Sequence, residues 1–259
     1  MLAVDFSLLD YALAALAAFA AGIVNALAGG GTLISFPALM ALGATNVNAN
    51  ITNTVALCPG YLGGAYAQRR SLVGDAERLR MLCLASALGG LAGSILLVTT
   101  DEELFEVLVP WLILTACALL GGQNFLKKVL RIGASADGTP TDRSPLLAGG
   151  GVFVVSIYGG YFGAGLGIMM LAVLGLLYND TINRLNAHKQ VLSLVVNVTA
   201  ALFFVWTGKV YWGLAIAMAP ASMLGGWCGG RLADVVSGAA LRRVVVTYGT
   251  VLGLYYLLS

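Results

Sequence analysis

Two hydrophobic runs in this chain are broken by glycine at matching places, and that pair constrains the fold more than any other feature. Residues 29–43 read GGGTLISFPALMALG and residues 163–177 read GAGLGIMMLAVLGLL. Each break lies near the middle of apolar sequence long enough to enter a bilayer. In hydrocarbon every backbone N–H and C=O needs a partner, so an interrupted helix is tolerated only where protein buries the break or where it lines a cavity. A matched pair of interrupted segments in the two halves of a membrane protein points to a transport site.

Composition settles the environment. Of 259 residues 59% are hydrophobic and 10% charged, against about 25% charged in soluble domains. The expected fold class is an all-α polytopic membrane protein. The longest polar stretch, 127–145 (KKVLRIGASADGTPTDRSP), reads as a connecting loop with turn chemistry at Asp137-Gly138, Pro140 and Pro145. The start of the chain carries Asp5 and Asp10 and no Lys or Arg before Arg69, unlike a secretory signal, and is expected to be part of the mature fold. Cys58, Cys83, Cys117 and Cys228 are scattered through apolar sequence without C-x-x-C spacing and read as small buried residues. Asn-x-Thr triplets at Asn50, Asn179 and Asn197 are not expected to carry glycans.

Apolar runs occupy roughly 8–28, 32–43, 48–67, 81–99, 104–126, 146–162, 165–178, 185–206, 210–228 and 240–258. A full crossing needs about 20 residues, so 32–43 and 165–178 are too short. The stretches 8–43 and 146–178 are therefore expected to be re-entrant hairpins of broken helices, and the other six runs full spans. A shift of 134 places the first glycine break on the second; a shift of 136 places Asn50 on Asn186 and Ala85/Gly89/Gly93 on Ala221/Gly225/Gly229. Nearly one offset throughout indicates a duplication. The first repeat is expected over 1–126 (hairpin 8–43; spans 48–67, 81–99 and 104–126). The second is expected over 146–259 (hairpin 146–178; spans 185–206, 210–228 and 240–258), with 127–145 as the cytoplasmic connection.

Charge chooses the topology. Three crossings per half make the repeats inverted. With 127–145 inside, Arg69, Arg70, Arg78, Arg80, Lys127, Lys128, Arg131, Arg143, Arg184, Lys189, Arg231, Arg242 and Arg243 are inside and Lys209 alone is outside, 13 against 1. If both hairpins crossed fully, the division would be 9 against 5. The positive-inside rule favours the hairpins, and both termini then lie outside.

A helix that restarts within the membrane presents unpaired N–H groups and the positive end of its dipole, and glycine lets a ligand approach that backbone. Gly29, Gly30, Gly31 and Thr32 are expected to face Gly163, Ala164, Gly165 and Leu166 as an anion cradle without a fixed positive charge. Glycines that serve only close helix packing are the plainer reading. Asn25 precedes the first break, Asn50 and Asn53 sit in the helix after it, and Asn186, Lys189 and Gln190 open its counterpart, with Asn197 two turns on. Buried amides cost free energy unless they are paired or line a cavity. Asn25, Asn50, Asn53, Asn186, Gln190 and Asn197 are candidates for substrate contact, whereas Asn48 and Asn183 read as helix caps. Lys189 reads either as a substrate charge or as an inside anchor. His188, the one histidine, reads as a structural group or as a proton-coupling group. Pro37 shapes the first half-helix and has no equivalent at Leu171.

One histidine excludes an H-E-x-x-H metal site, and no acidic residue lies mid-span, which argues against an aspartyl protease and against a carboxylate-based cation path. No enzyme activity, metal or cofactor is expected. NALAGGGTLISFPALMALG (25–43), NITNT (50–54), YGGYFGAGLGIMMLAVLGL (158–176) and NAHKQ (186–190) resemble the TauE/SafE sulfite and sulfonate exporter family of bacterial membrane proteins, over nearly the whole chain. The resemblance implies export of small sulfur-containing anions across the inner membrane. The second break departs from it in having GAG and no following proline. The expected protein is a secondary transporter with alternating access around the paired tips. Its partners are the anion, the bilayer and a coupling ion (proton or sodium), nucleic acid plays no part, and a homo-oligomer is compatible. An anion channel and a non-transport membrane assembly factor are the alternatives.

Overall fold

The computed structural model describes residues 6–72, 76–122, 125, 145–178, 180–232 and 239–258. Among them are ten α-helices and no strand: α1 (Leu8–Leu27), α2 (Thr32–Ala41), α3 (Asn46–Ala67), α4 (Ala76–Thr99), α5 (Glu102–Gly121), α6 (Pro145–Tyr161), α7 (Leu166–Leu177), α8 (Ile182–Val205), α9 (Trp212–Leu232) and α10 (Ala239–Leu258). A 3₁₀ turn, Arg69–Leu72, follows α3. Each apolar run of the sequence has become one helix. The connecting loop 127–145, apart from Pro145, and Asn179 lie outside the described residues.

Local chemistry sets the helix starts. Ser7 and Asp10 form a reciprocal capping box on α1: the Asp10 N–H donates to Ser7 Oγ at 3.3 Å and the Ser7 N–H to Asp10 Oδ2 at 2.8 Å. The Thr181 hydroxyl accepts from the Arg184 N–H at the start of α8. The α3 start is capped from another helix, since the Val47 N–H donates to the Glu102 carboxylate at 3.1 Å and 3.3 Å. Glu102 opens α5, so one carboxylate sits at the positive ends of two helices and ties them together.

Four helices, α1, α4, α5 and α8, are long and apolar enough to cross a membrane, while α2, α7 and Leu146–Tyr161 are shorter apolar helices. With 20 residues, α1 alone reaches about 30 Å at 1.5 Å per residue, a crossing length. Leu84, Leu88, Leu91 and Ile95 on α4 and Val244, Tyr248, Val251 and Tyr255 on α10 leave exposed apolar stripes. Stripes spaced by three and four residues and turned away from the core are lipid-facing surfaces. The chain is a multi-pass membrane protein.

Packing exchanges the halves. Helix α1 lies along α9, and α6 lies along α4; α3 packs on α9 and α8 on α4; α5 packs on α10 and α3 on α8. Small residues make these approaches close. A Cβ on Gly225 would strike the Phe19 carbonyl of α1, and one on Gly229 would lie 2.8 Å from Ile23 Cα. On the other side, Cβ atoms on Gly89 and Gly93 would strike the Phe153 and Ile157 carbonyls of α6. The ladder on α4 thus meets α6, as the matching ladder on α9 meets α1. Beside Pro59, Ser222 Oγ donates to the Ala56 carbonyl at 2.7 Å and joins α9 to α3.

Candidate functional site

Both glycine breaks are non-helical turns between consecutive helices. Gly29 has φ +80°, Gly163 +79° and Gly165 +77°, a left-handed conformation that side-chain-bearing residues adopt at a cost of about 1–2 kcal/mol. The turns are buried and they touch. A Cβ on Gly29 would lie 2.7 Å from Gly167 Cα, and one on Gly163 would lie 3.9 Å from Thr32 Oγ1. Phe36, one turn after the first break, meets Phe162, just before the second, edge to face with ring centroids 5.4 Å apart, an arrangement favoured by the ring quadrupoles.

Beyond the approach of Gly163 to Thr32, the two tips do not face each other residue for residue. Gly29 meets Gly167, which the sequence reading missed although it completes the G-x-G-x-G run 163–167. Gly30 faces Leu120 of α5, and Gly165 faces Ala116 of the same helix, at 3.5 Å from a would-be Cβ. Helix α5 therefore backs both breaks, one turn apart. Leu166 packs on Gly159 rather than on the opposite tip, and the Ala164 carbonyl accepts from Tyr158 Oη at 2.7 Å.

The restarting N–H groups divide into bonded and unbonded sets. Asn25 Oδ1 accepts from the Gly31 N–H at 2.7 Å, so the amide at the end of α1 caps the start of α2. The N–H groups of Leu33 and Ile34, and of Leu166 and Ile168, close short turns onto the carbonyls of Gly30, Gly31, Gly163 and Gly165 respectively. The N–H groups of Gly30 and Thr32, and of Ala164, Gly165 and Gly167, make no hydrogen bond to another described residue. All five belong to buried residues. Buried donors without protein partners are rare and call for water or a ligand.

A buried lysine stands beside them. Lys189 of α8 is 2% exposed. Its Nζ donates to the Asn25 and Ala26 carbonyls, each at 3.4 Å, at the negative end of the α1 dipole. Its Cδ would lie 3.4 Å from a Cβ on Gly167, so Lys189 borders both breaks.

The remaining candidates lie along α3. Asn50 Nδ2 donates to the Tyr161 carbonyl at 2.8 Å, next to the second break, while Asn50 Oδ1 and Asn53 Oδ1 are buried without partners among the described residues. Asn197 Nδ2 donates to the Ser193 carbonyl one turn back, at 2.8 Å. The Gln190 amide abuts Gly64, and Asn186 Nδ2 donates to Gln68 Oε1 at 2.7 Å. From Asn50 to Gln68 this file runs about 27 Å at 1.5 Å per residue, so these amides do not share one pocket. Gln190 Oε1 and Ser193 Oγ add further buried oxygens without a partner among the described residues. His188 Nδ1 bonds the Arg184 carbonyl one turn back, at 2.8 Å. Among the described residues no three His, Cys, Asp or Glu side chains gather where they could hold a metal ion.

The family model described as Sulfite exporter TauE/SafE matches residues 14–256. The chain belongs to the TauE/SafE family. Related TauE/SafE-like proteins include the Probable membrane transporter protein YfcA of Escherichia coli (strain K12), 28% identical over 238 residues, covering 91% of this chain and 85% of the relative. The Probable membrane transporter protein of Haemophilus influenzae is 26% identical over 236 residues, covering 88% and 87%. The Probable membrane transporter protein ORF9 of Sinorhizobium sp is 26% identical over 234 residues, covering 89% and 85%. No solved structure matches the chain. Within the TauE/SafE match lie both breaks, Asn25, Lys189 and the whole α3 file.

The Asn25 cap gives a graded test. Asn25→Ala removes the acceptor for the Gly31 N–H and is expected to destabilise the protein by about 1 kcal/mol, the usual effect of losing a side-chain cap. Asn25→Ser, too short to span the same gap, should behave like alanine. Thermal unfolding in detergent, followed by circular dichroism, measures both.

Proposed function

We propose that this protein is a secondary transporter that exports small sulfur-containing anions, such as sulfite or organosulfonates, across the bacterial inner membrane. The observation that carries the reading is the group of five N–H donors of buried residues, without hydrogen-bond partners among the described residues, at two helix restarts that touch each other beside Lys189. Helix N-termini favour anions through both the free N–H groups and the dipole. Family membership supports the sulfur-anion class. In this reading Gly30, Thr32, Ala164, Gly165 and Gly167 bind through their backbone, Gly29, Gly31 and Gly163 shape the turns, and Lys189 sets the sign of charge.

The exchange of partners between halves, α1 with α9 and α6 with α4, supports two inverted repeats. The bias of basic residues supports a cytoplasmic 127–145 and outside termini. Asn50, Asn53, Asn197, Gln190 and Asn186 then mark a polar path along α3 between the site and one face, and alternating access opens that path on each side in turn. His188 stands one residue from Lys189, where it can carry a coupling proton.

The test is a thermal-shift screen with sulfite, sulfate, taurine, sulfoacetate and small carboxylates, followed by counterflow in proteoliposomes. A ligand at 100 times its Kd stabilises the folded state by about 2.7 kcal/mol. Selective stabilisation by sulfite or a sulfonate, with saturable counterflow of that anion, is expected. Flux without saturation or counterflow would establish a channel instead. Absence of both flux and anion-selective stabilisation would overturn the proposal.

A further inference from the structure

A second feature lies away from the glycine breaks, at the end of α3. There the chain turns through Gln68 into Arg69–Leu72 beside the end of α9, and a cleft of about 330 Å³ opens between them, lined by Gln68, Arg69, Arg70 and Arg231 together with Tyr66 and Trp227. Three guanidiniums around one cleft repel one another. Among the described residues no carboxylate forms an ion pair with any of them. Two are held in place rather than free to disperse: Arg69 stacks on the Tyr66 ring at 4.0 Å and donates to the Tyr66 carbonyl at 2.8 Å, and Arg231 stacks on Trp227 at 4.1 Å. Gln68, 7% exposed, lines the same cleft, and its Nε2 has no hydrogen-bond partner among the described residues. Three guanidiniums bordering one cleft describe a receptor for an anionic head group carrying phosphate-type oxygens.

The cleft does not end there. Tyr66 and Trp227 also wall an apolar groove of about 630 Å³ formed with Leu62, Gly63, Met223 and Leu224. Gly63 makes its floor: a Cβ there would strike the Met223 carbonyl and lie 3.0 Å from the Trp227 nitrogen, so α3 and α9 touch along their backbones and leave a trough above. Leu62, Met223 and Leu224 are exposed. Tyr and Trp are the residues that mark the boundary between hydrocarbon and head groups. A basic, hydrogen-bonding cleft on one side of that boundary and an apolar trough on the other match the two ends of one kind of molecule.

We propose that this surface binds an anionic phospholipid, its phosphate in the Gln68/Arg69/Arg70/Arg231 cleft and an acyl chain along the α3–α9 trough. Basic pockets between membrane helices take acidic lipid head groups in this way. Because α3 carries the amide file and α9 packs along it, the lipid would clamp two helices that border the proposed path. The site is independent of the glycine breaks, and its proof or failure leaves the transport proposal untouched.

The test is native mass spectrometry of the full-length protein in detergent with equimolar phosphatidylglycerol and phosphatidylcholine. Wild type should prefer phosphatidylglycerol roughly 100-fold, taking roughly fivefold for each of three arginines near the head group. The R69Q/R70Q/R231Q variant, altered at exposed positions only, should show no preference. Leu224→Trp, which fills the trough, should weaken retention of both lipids about tenfold, the equivalent of about two buried methylenes. Equal retention of the two lipids by wild type, or an unchanged preference in the triple variant, would overturn the proposal. Displacement of the lipid by millimolar sulfite, with Leu224→Trp silent, would show a free-anion site and overturn it as well. A change of oligomeric state in the triple variant with its lipid preference intact would assign the surface to protein association and also refute it.

Discussion

Gly29→Ala should abolish anion transport, and Gly43→Ala should not. Both glycines have positive φ, +80° and +94°, so each alanine carries a backbone strain of about 1–2 kcal/mol. Their surroundings differ. A Cβ on Gly43 meets nothing within 4 Å, whereas one on Gly29 meets Gly167 Cα at 2.7 Å, Gly167 C at 2.9 Å and the Ile168 nitrogen at 3.0 Å. These are backbone atoms that no rotamer change can move, and overpacking of this sort costs a further 1–3 kcal/mol or so. Either the two breaks separate or the protein takes up the strain, and separation parts the donors of Gly30 and Thr32 from those of Ala164, Gly165 and Gly167. The expected outcome is a fall in Tm for Gly29→Ala about twice that of Gly43→Ala, with sulfite counterflow lost in the first and retained in the second. Gly167→Ala, which has no φ strain, should resemble Gly29→Ala in flux while losing less stability. Counterflow preserved in both Gly29→Ala and Gly167→Ala would show that contact between the breaks is not needed for transport.

The sequence carried the helices well because their signals are local. Apolar runs and their ends depend on each run's own residues, and a lipid-facing stripe such as Leu84, Leu88, Leu91 and Ile95 is written in one helix. The glycine ladders of α4 and α9 were legible for the same reason. What they touch was not, since Gly225 against Phe19 depends on how α1 and α9 cross. The site shows the same division. The breaks are visible as GGG and GAG, and even Gly167 stands in plain view within 163–167, but choosing Gly167 over Gly163 as the neighbour of Gly29 needs the relative placement of the two breaks. Backing of both breaks by α5 had no signal at all: Ala116 and Leu120 are ordinary small and large apolar residues. The Glu102 cap of α3 is likewise a contact across 55 positions of sequence, and in the chain Glu102 reads as part of an acidic turn.

Lys189 is where sequence left two roles open, and the structure makes them separable by experiment. Its ammonium caps the Asn25 and Ala26 carbonyls at 3.4 Å, a structural contact, and it also borders Gly167, which is part of the proposed site. Lys189→Met keeps the length and apolar stem and removes the charge. Loss of hydrogen bonds from a charged donor to buried carbonyls costs about 1.5–3 kcal/mol, so Tm should fall. For an anion about 6 Å away at an effective dielectric constant of about 20, the lost attraction is about 2.8 kcal/mol, or about 100-fold in Kd. Lys189→Arg retains the charge and should keep anion binding within about tenfold, because only the shape of the donor changes. Isothermal titration with sulfite on both variants reads affinity, and thermal unfolding reads stability. A Lys189→Met protein with lowered Tm and unchanged sulfite affinity would reduce Lys189 to a cap on α1. Affinity lost in Met and kept in Arg assigns the charge to the anion, and with it the selection of sign that five backbone donors leave incomplete.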